Sequence, residues 1–238
     1  MQNGTLFLIP VPLADDVVTR SAPLFLQETV ARIDEYIVEN EKTARKFLRA
    51  LHPQINQQKL VLHDYGKHTR RQKADFTPFF DGLLQGRDAG LMSEAGCPGV
   101  ADPGADIVAE AHRRGIKVVP LVGPSSILLA LMASGFSGQS FTFHGYLPID
   151  KADRSRRIKE LEAAAERSRQ TQIFIETPFR NNPLLHDLLA NLKPQTRLCV
   201  ACDLTTPTET VISMPVSVWK KQNHDFHKRP AIFLLYKA

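Results

Sequence analysis

The sequence predicts an α/β protein with two α/β domains, the first built on a mostly parallel sheet and the second on a mixed sheet. The chain has 238 residues, 43% of them hydrophobic, which suffices for one large core or two modest ones. In the first half, apolar segments without polar alternation are separated by helical segments, a pattern typical of parallel strands covered on both faces. In the second half, strands follow one another closely, which favours antiparallel pairing.

Five apolar runs account for the strands of the first half, each stopping at a turn or loop signal. They are 5–9, 36–38, 59–63, 89–93 and 116–120. Helical segments lie between them, near 19–32, 41–51, 75–85 and 102–115. Asn40 and Asp102 are expected to cap the second and fourth helices. Pro103 fits the first turn of the fourth helix, and Gly115 fits the position just past its end.

The second half begins with a loop that leads into a buried helix, within residues 121–135. The N-terminus of this helix presents Ser125 and Ser126, and Gly135 ends it. Further strands are predicted at 140–144, 171–176, 197–201, 209–213 and 231–236, and helices near 153–169, near 181–192 and around Trp219. The change in spacing predicts a domain at 1–119 and another at 120–238.

The composition narrows the classes of protein that the chain can be. Thirty Lys and Arg residues against 25 Asp and Glu residues give a net charge of +5, which permits an acidic partner such as RNA without requiring one. No apolar run approaches the roughly 18 residues that cross a bilayer, and the N-terminus lacks a secretory leader. We therefore expect a cytoplasmic protein without a membrane partner.

The three cysteines, Cys97, Cys199 and Cys202, cannot all pair. Cys199 and Cys202 have the spacing of a redox or zinc motif, but they lie in a predicted strand, where residues three apart face opposite sides. We expect buried thiols and no metal site.

The stretch SEAGCPGVADPG, residues 93–104, joins a predicted strand to a predicted helix. In a parallel sheet such loops lie at the carboxyl ends of the strands, where ligands bind. Gly96 and Gly99 allow a ligand to approach the backbone, while Pro98 and Pro103 stiffen the loop; a glycine-rich turn without a ligand is the alternative. The chain has neither G-x-x-x-x-G-K-[ST] nor G-x-G-x-x-G, so both usual phosphate fingerprints are absent. An adenosine with a charged amino-acid tail is compatible with the loop.

Five motifs, in order, resemble those of a known family. SEAGCPGVADPG is close to S-D-A-G-T-P-x-x-S-D-P-G, and VPLVGPSS at 119–126 is close to V-P-L-P-G-P-[SC]. FHGYLP at 143–148 resembles F-x-G-F-L-P, FIETP at 174–178 resembles F-Y-E-S-P, and residues 204–205 with 209–210 resemble E-L-T-K-x-x-E. On these motifs the chain is similar to the tetrapyrrole methylase superfamily of S-adenosylmethionine-dependent methyltransferases. Within it, the chain most closely resembles the branch that methylates the cytidine 2′-hydroxyl of small-subunit ribosomal RNA.

The resemblance implies two α/β domains with S-adenosylmethionine in the cleft between them, ribosomal RNA as the substrate and a homodimer. From the first domain and the junction it implies cofactor contacts at Leu13, Gly96, Cys97, Pro98, Val100, Ser125 and Ser126. From the second domain it implies contacts at Glu176, Thr177, Leu204 and Ala231.

The chain departs from the branch pattern mainly in the first domain. The branch begins P-T-P-I-G-N-L-x-D where residues 10–16 read PVPLADD, and it has A-E-D-T-R where residues 38–42 read VENEK. In the family these stretches face the acceptor. The resemblance therefore supports the identity of the cofactor more directly than the identity of the acceptor. Methylation of a tetrapyrrole-like small molecule and cofactor binding without catalysis are the alternatives.

A carboxylate or imidazole at a strand end could take the proton of a ribose hydroxyl, which is otherwise a poor nucleophile. The candidates are Glu39, His63, Asp64, Glu94 and Asp102. Each has a structural alternative, such as a helix cap for Asp102, support of a helix start for Glu39 and a hydrogen-bonded surface histidine for His63.

Basic residues cluster at 67–71 and at 151–157, with Arg167 and Arg169 further along the second charged segment. They could meet RNA phosphates, and a charged helix face in water explains them equally well.

Overall fold

The computed structural model describes residues 2–14, 21–66 and 76–237 and divides the chain into two compact units, Met1–Ser125 and Ser126–Ala238. Each unit has its own five-stranded sheet. The predicted α/β class, with one parallel and one mixed sheet, is confirmed.

The sheet of the first unit is parallel throughout. Its strands are β1 (Thr5–Leu8), β2 (Glu35–Val38), β3 (Val61–Asp64), β4 (Ala89–Met92) and β5 (Lys117–Pro120). They lie in the order β3-β2-β4-β1-β5, and every neighbouring pair is parallel. The five predicted strands are confirmed. All of them end at the same edge of the sheet, which we call the carboxyl edge; the opposite edge is the amino edge.

Helices cover both faces of this sheet. They are α1 (Leu24–Val30), α2 (Glu41–Leu51), α3 (Thr77–Leu84) and α4 (Ala105–Arg113). Because strand residues alternate between faces, Phe7 and Tyr36 pack with α1 and α2, whereas Leu6 and Ile37 pack with α3 and α4. Asn40 caps α2 as predicted, since its side chain accepts hydrogen bonds from the second and third helical N–H groups at 2.9 and 3.3 Å.

The start of α4 corrects one prediction. The helix begins at Ala105, so Asp102 is not its cap and Pro103 lies in the bend before it. Gly104 precedes the helix with φ +126°, a conformation that residues with a Cβ rarely adopt, and this break separates the helix from Asp102. Gly115 follows the helix with φ +68°, as predicted.

The second unit carries the mixed sheet. Its strands are β6 (Phe141–Tyr146), β7 (Thr171–Ile175), β8 (Arg197–Cys202), β9 (Thr210–Pro215) and β10 (Ala231–Tyr236), in the order β6-β7-β10-β8-β9. β6 and β7 are parallel, and the remaining neighbours are antiparallel. The helices are α5 (Ser126–Ser134), α6 (Lys151–Ser168), α7 (Asn181–Asn191) and α8 (Val216–Trp219). Gly135 follows α5 with φ +72°, as predicted.

The cysteines of β8 are core residues. Cys199 and Cys202 are free and fully buried, and only Cys202 belongs to the core cluster that contains Trp219, because the two side chains leave opposite faces of the strand. Burial raises the pKa of Cys199 to about 12 and that of Cys202 to about 11. The prediction of buried thiols is confirmed.

Two features of residues 2–14, 21–66 and 76–237 concern metal binding and membrane insertion. Within these ranges, no group of three or more His, Cys, Asp or Glu side chains is placed to hold a metal ion. Within the same ranges, every helix is too short or too polar to cross a membrane.

Candidate active site

Two loops are joined at the carboxyl edge of the first sheet, those after the adjacent strands β1 and β4. Val11 and Gly96 exchange two backbone hydrogen bonds, of 2.9 and 2.8 Å. The loop after β5 packs beside them, because Gly123 lies against Pro10 so closely that an added Cβ would come within 2.3 Å of the proline Cβ. The three loops therefore brace one another.

The loop after β4 is the predicted ligand loop. Within it, four residues have positive φ: Gly96, Gly99, Ala101 and Gly104. Val100 N donates to the Cys97 carbonyl at 3.1 Å, which closes a turn around residues 97–100. Gly99 N donates to the Pro103 carbonyl at 3.1 Å, which folds the loop back on itself. The glycines are therefore needed for the path of the backbone, whatever the loop binds.

The predicted cofactor residues of this loop differ in exposure. Gly96 and Pro98 are buried, Cys97 is half-buried and Val100 is 48% exposed. The Cys97 thiol donates to the Pro124 carbonyl across 3.5 Å, and burial raises the pKa of this thiol. The side chains of Val100 and Cys97 are thus accessible from solvent, whereas Gly96 and Pro98 are enclosed by the loop.

A pocket of about 410 Å³ opens beside these loops in the first unit. Residues 11–14, Glu94 and Ala95 form one side of it, and α2 forms the other through Thr43, Lys46, Phe47 and Ala50. Of the predicted site residues, it contains Leu13 and Glu94.

Glu94 follows β4 by two residues, and Thr43 holds its carboxylate. Thr43 Oγ1 donates to Glu94 Oε1 at 2.5 Å. A smaller pocket beside this pair is lined by Glu39, which follows β2, and by both Thr43 and Glu94. The structure thus brings together two of the predicted carboxylates. Thr43 was not predicted as a site residue. The one indication in the sequence was its position in the first turn of a helix whose cap, Asn40, lies at the carboxyl edge.

The other three candidates lie elsewhere. His63 Nε2 is 3.0 Å from Oε1 of Glu35, the first residue of β2, so this imidazole is directed toward the amino edge. Asp64 Oδ1 accepts the Gly66 N–H at 2.6 Å in the turn after β3. Asp102 is half-buried in the bend before α4. The basic stretch at 67–71 lies outside the described residues, as do residues 15 and 16 of PVPLADD.

Ser125 and Ser126 stand at the start of α5, as predicted, with Ser126 as its first residue. Both are half-buried.

In the second unit, the predicted cofactor residues meet at one edge of the mixed sheet. β10 is antiparallel to both β7 and β8, so the ends of those two strands adjoin its start. Glu176 and Thr177 follow β7, Leu204 follows β8 and Ala231 begins β10. The three segments are tied by backbone hydrogen bonds, from Lys228 N to the Pro178 carbonyl at 3.0 Å and from Asp203 N to the Pro230 carbonyl at 2.9 Å.

The side chains at this edge are only partly satisfied. Glu176 is 9% exposed, and its Oε2 accepts from Thr177 N at 2.6 Å and from Arg180 Nη2 at 2.8 Å. Thr205 has φ +74°, and its N–H donates to Glu209 Oε2 at 2.6 Å, which accounts for the spacing of the last motif. Arg180 Nε and Thr205 Oγ1 are buried and find no hydrogen-bond partner in the part of the chain that the structure describes.

The charged helix α6 is largely occupied by ion pairs. Arg154 is 14% exposed and pairs with Asp187 at 2.5 Å, so it does not present its charge to solvent. Arg156 pairs with Asp153 at 2.6 Å, and Arg157 pairs with Glu160 at 3.2 Å. The last two pairs are exposed and lie along the helix, where water screens them.

Comparison with known proteins places the chain in a family. A sequence model of the tetrapyrrole (corrin/porphyrin) methylases matches residues 9–218. The chain is 33% identical over 241 residues to the ribosomal RNA small subunit methyltransferase I of Vibrio cholerae, covering 98% of this chain and 78% of that protein. It is 30% identical over 238 residues to the protein of the same name from Escherichia coli, with the same two coverages of 98% and 78%.

A solved structure shares the architecture. The crystal structure of the methyltransferase CobJ superposes with a TM-score of 0.61, covering 99% of this chain and 95% of that one. The identity is 17%, so this likeness concerns the fold alone.

Proposed function

The chain belongs to the tetrapyrrole methylase family and is a methyltransferase, and from this premise we propose that it methylates the 2′-hydroxyl of a cytidine in small-subunit ribosomal RNA, with S-adenosylmethionine as donor. The observation that carries the proposal is the 33% identity to the Vibrio cholerae ribosomal RNA small subunit methyltransferase I, which extends over 98% of the chain. A ribosomal RNA substrate would place the protein in the cytoplasm.

Two sets of residues have a chemistry that fits this donor: the loops at the carboxyl edge of the first sheet, and the segments that meet at one edge of the second sheet. S-adenosylmethionine carries an adenosine and a charged amino-acid tail, so it needs shape, backbone groups and polar side chains rather than a phosphate cradle. The loop after β4 offers the exposed Val100 and a backbone held in place by glycines. At the edge of the second sheet, the orphaned polar atoms of Arg180 and Thr205 would gain partners from a polar ligand.

When bound, the donor supplies an electrophilic methyl group on a positively charged sulfur. The chain's own task is then to bind and orient, because methyl carbon, sulfur and acceptor oxygen must lie nearly in line. The braced loops at the carboxyl edge suit this task, since Gly123 against Pro10 leaves them little room to shift. We propose that Leu13, Val100 and the Ser125–Ser126 pair contact the donor from these loops.

RNA as acceptor is supported by the net charge of +5 and by the exposed arginines of α6. Arg156 is 71% exposed and can exchange Asp153 for a phosphate at little cost, because an exposed ion pair contributes at most about 1 kcal/mol. Arg154 is better suited to holding α6 on α7 through Asp187.

Two measurements test the proposal. Calorimetry with S-adenosylmethionine and S-adenosylhomocysteine measures donor binding, and incorporation of tritiated methyl into ribosomal RNA from a deletion strain measures transfer. We expect binding and incorporation at a single ribose. Binding without incorporation into RNA would favour a small-molecule acceptor or a protein that binds the cofactor without catalysis.

RNA binding should also weaken steeply with salt, because cations released from phosphates drive it. For about four phosphate contacts, the slope of log affinity against log salt is roughly −3. A flat response in fluorescence anisotropy would count against RNA as the acceptor.

We propose a homodimer on the family resemblance. Light scattering coupled to size exclusion would give its mass, and a monomer at micromolar concentration would contradict it.

A further inference from the structure

We infer that Glu94 is the general base that takes the proton of the acceptor hydroxyl and that Thr43 is the positioning residue that holds its carboxylate. The inference rests on the proposed function and assigns two roles within it.

The backbone of Glu94 is held on both sides. Met92 ends β4 within the sheet, and Gly96 is fixed to Val11 by two hydrogen bonds. Glu94 thus stands on a short segment between two anchors, at the edge where the three loops meet. A catalytic carboxylate must be kept within a fraction of an ångström of its working position, and such a segment provides that.

The Glu94 side chain faces a space of suitable size and character. The pocket of about 410 Å³ falls in the range of small-molecule sites, which is about 300–1,000 Å³. Phe47 and Leu13 give it apolar walls that a nucleobase or ribose could contact, and Lys46 adds a cation to the wall. The pocket therefore suits one nucleotide unit of an RNA chain.

The hydrogen bonding of Glu94 leaves one oxygen for the substrate. Oε1 accepts from Thr43 Oγ1 at 2.5 Å, whereas Oε2 accepts no hydrogen bond from any residue that the structure describes. Thr43 Oγ1 lies 3.1 Å from the Asn40 carbonyl, so the cap of α2 and the carboxylate share one hydroxyl. Because Thr43 fixes one oxygen, the second has a defined direction in which to meet a hydroxyl group.

The alternatives are less suited to the role. Asp64 is engaged with Gly66, and His63 is engaged with Glu35 at the other side of the sheet. Glu39 lines only the smaller pocket. Glu39 and Lys46 are the other ionisable residues that line the two pockets.

The proton balance is simple. The acceptor hydroxyl gives its proton to Glu94 Oε2 as its oxygen forms the bond to the methyl carbon. The carbon–sulfur bond breaks, and its electron pair stays on sulfur. The carboxylic acid of Glu94 then returns the proton to water.

The first test compares Glu94→Gln with Glu28→Gln, a change at an exposed glutamate on α1 outside both pockets. In single-turnover methylation of ribosomal RNA, Glu94→Gln should be slower by about 10²- to 10⁴-fold, the usual contribution of a general base. Glu28→Gln should match the unsubstituted protein. Calorimetry with S-adenosylhomocysteine should give the same affinity for all three, which separates a loss of chemistry from a loss of the donor site.

Three further variants report on roles that packing alone would not produce. Added formate should raise the rate of Glu94→Ala, because it can occupy the vacated carboxylate position. Thr43→Val should lower kcat and leave the KM for RNA unchanged, because the carboxylate of Glu94 loses the hydroxyl that directs it. Thr43→Ser keeps the hydroxyl and should keep kcat.

The inference is overturned if Glu94→Gln retains the rate within about threefold. An absence of formate rescue together with an unchanged kcat for Thr43→Val would overturn it too. If Glu94→Gln fails to fold, Glu94→Asp takes its place: we expect a slower rate, and an unchanged rate counts against the base. The proposed function itself would be contradicted by a different result, in which the unsubstituted protein neither binds S-adenosylhomocysteine nor methylates RNA.

Discussion

Glu35 and Glu94 lie on or just after neighbouring strands of the same sheet, yet at its opposite edges. Glu35 begins β2 at the amino edge and is 7% exposed; its two oxygens contact His63 at 3.0 Å and Arg87 at 3.4 Å. Glu94 is exposed, two residues past β4, and only one of its oxygens has a partner among the described residues. Both oxygens of Glu35 have partners within the fold, whereas one oxygen of Glu94 has no partner among the described residues.

The two carboxylates differ in their surroundings: residues of the fold enclose Glu35, whereas Glu94 borders a pocket. Gly82 of α3 makes room for Glu35, since a Cβ there would come within 2.0 Å of its Oε2. Residues of the amino edge thus pack around the Glu35 carboxylate. Removing one member of such a buried ion pair destabilises a fold, so we expect Glu35 to contribute to stability. At the carboxyl edge the space beside Glu94 is a pocket.

The largest expected difference is in turnover. Glu35→Gln should retain the single-turnover rate within about threefold once folded, against the loss of about 10²- to 10⁴-fold expected for Glu94→Gln. Rates measured on matched amounts of folded protein would show this. Equal losses in the two variants would erase the distinction between the edges.

The next largest effect is on stability, where the substitution of Glu35 should have a larger effect than the substitution of Glu94. Glu35→Ala removes the partner of His63 and Arg87 and should lower the free energy of unfolding by about 3 kcal/mol. Glu94→Ala should change it by no more than about 0.5 kcal/mol, as is usual for exposed residues. Urea denaturation followed by circular dichroism measures both. A greater loss for Glu94→Ala would show that this residue belongs to the fold.

The third effect concerns the donor. Gly123→Ala forces a methyl group into Pro10, and overpacking of about 1–3 kcal/mol should weaken S-adenosylhomocysteine binding by roughly tenfold or more. Gly82→Ala is the matched change at the amino edge and should lower stability while the folded protein keeps its affinity. Calorimetry below the melting temperature distinguishes them, and equal affinities would argue against the loops as a donor surface.

The smallest effect is on thiol labelling. Burial raises the pKa of Cys97, so its thiolate is scarcer than in the unfolded chain, and alkylation at pH 8 should be slower in the folded protein. The difference should shrink as the pH rises toward the folded pKa, because the thiol then ionises in both states. Cys199 and Cys202, with pKa values raised to about 12 and about 11, should react only on unfolding. Mass spectrometry of labelled peptides reports each cysteine, and early labelling at Cys199 would contradict its burial.

Much of the fold was predictable because strands with continuous apolar character leave a strong signal. β10 was predicted at 231–236, as observed, and the cap of α2 followed from Asn40 alone. The start of α4 was predicted wrongly because Asp102 has the chemistry of a cap, while the conformation of Gly104, which ends the loop, depends on contacts made within the folded loop.

The candidate site was less predictable. The sequence placed Glu39 and Glu94 at strand ends, but only the strand order brings their loops together. His63 was a candidate for the same reason, and its ring instead meets Glu35, a contact between side chains that lie 28 positions apart. Thr43 was missed because a threonine in a first helical turn is unremarkable until the loop after β4 is placed beside it.

The contact between Val11 and Gly96 involves only main-chain atoms. Since every residue except proline offers the same N–H and C=O groups, replacing the side chains around Val11 leaves this link intact. The stretch PVPLADD can therefore diverge from P-T-P-I-G-N-L-x-D without detaching the loop that carries it. Side chains of this loop can therefore change during evolution while the backbone link keeps the loop in place.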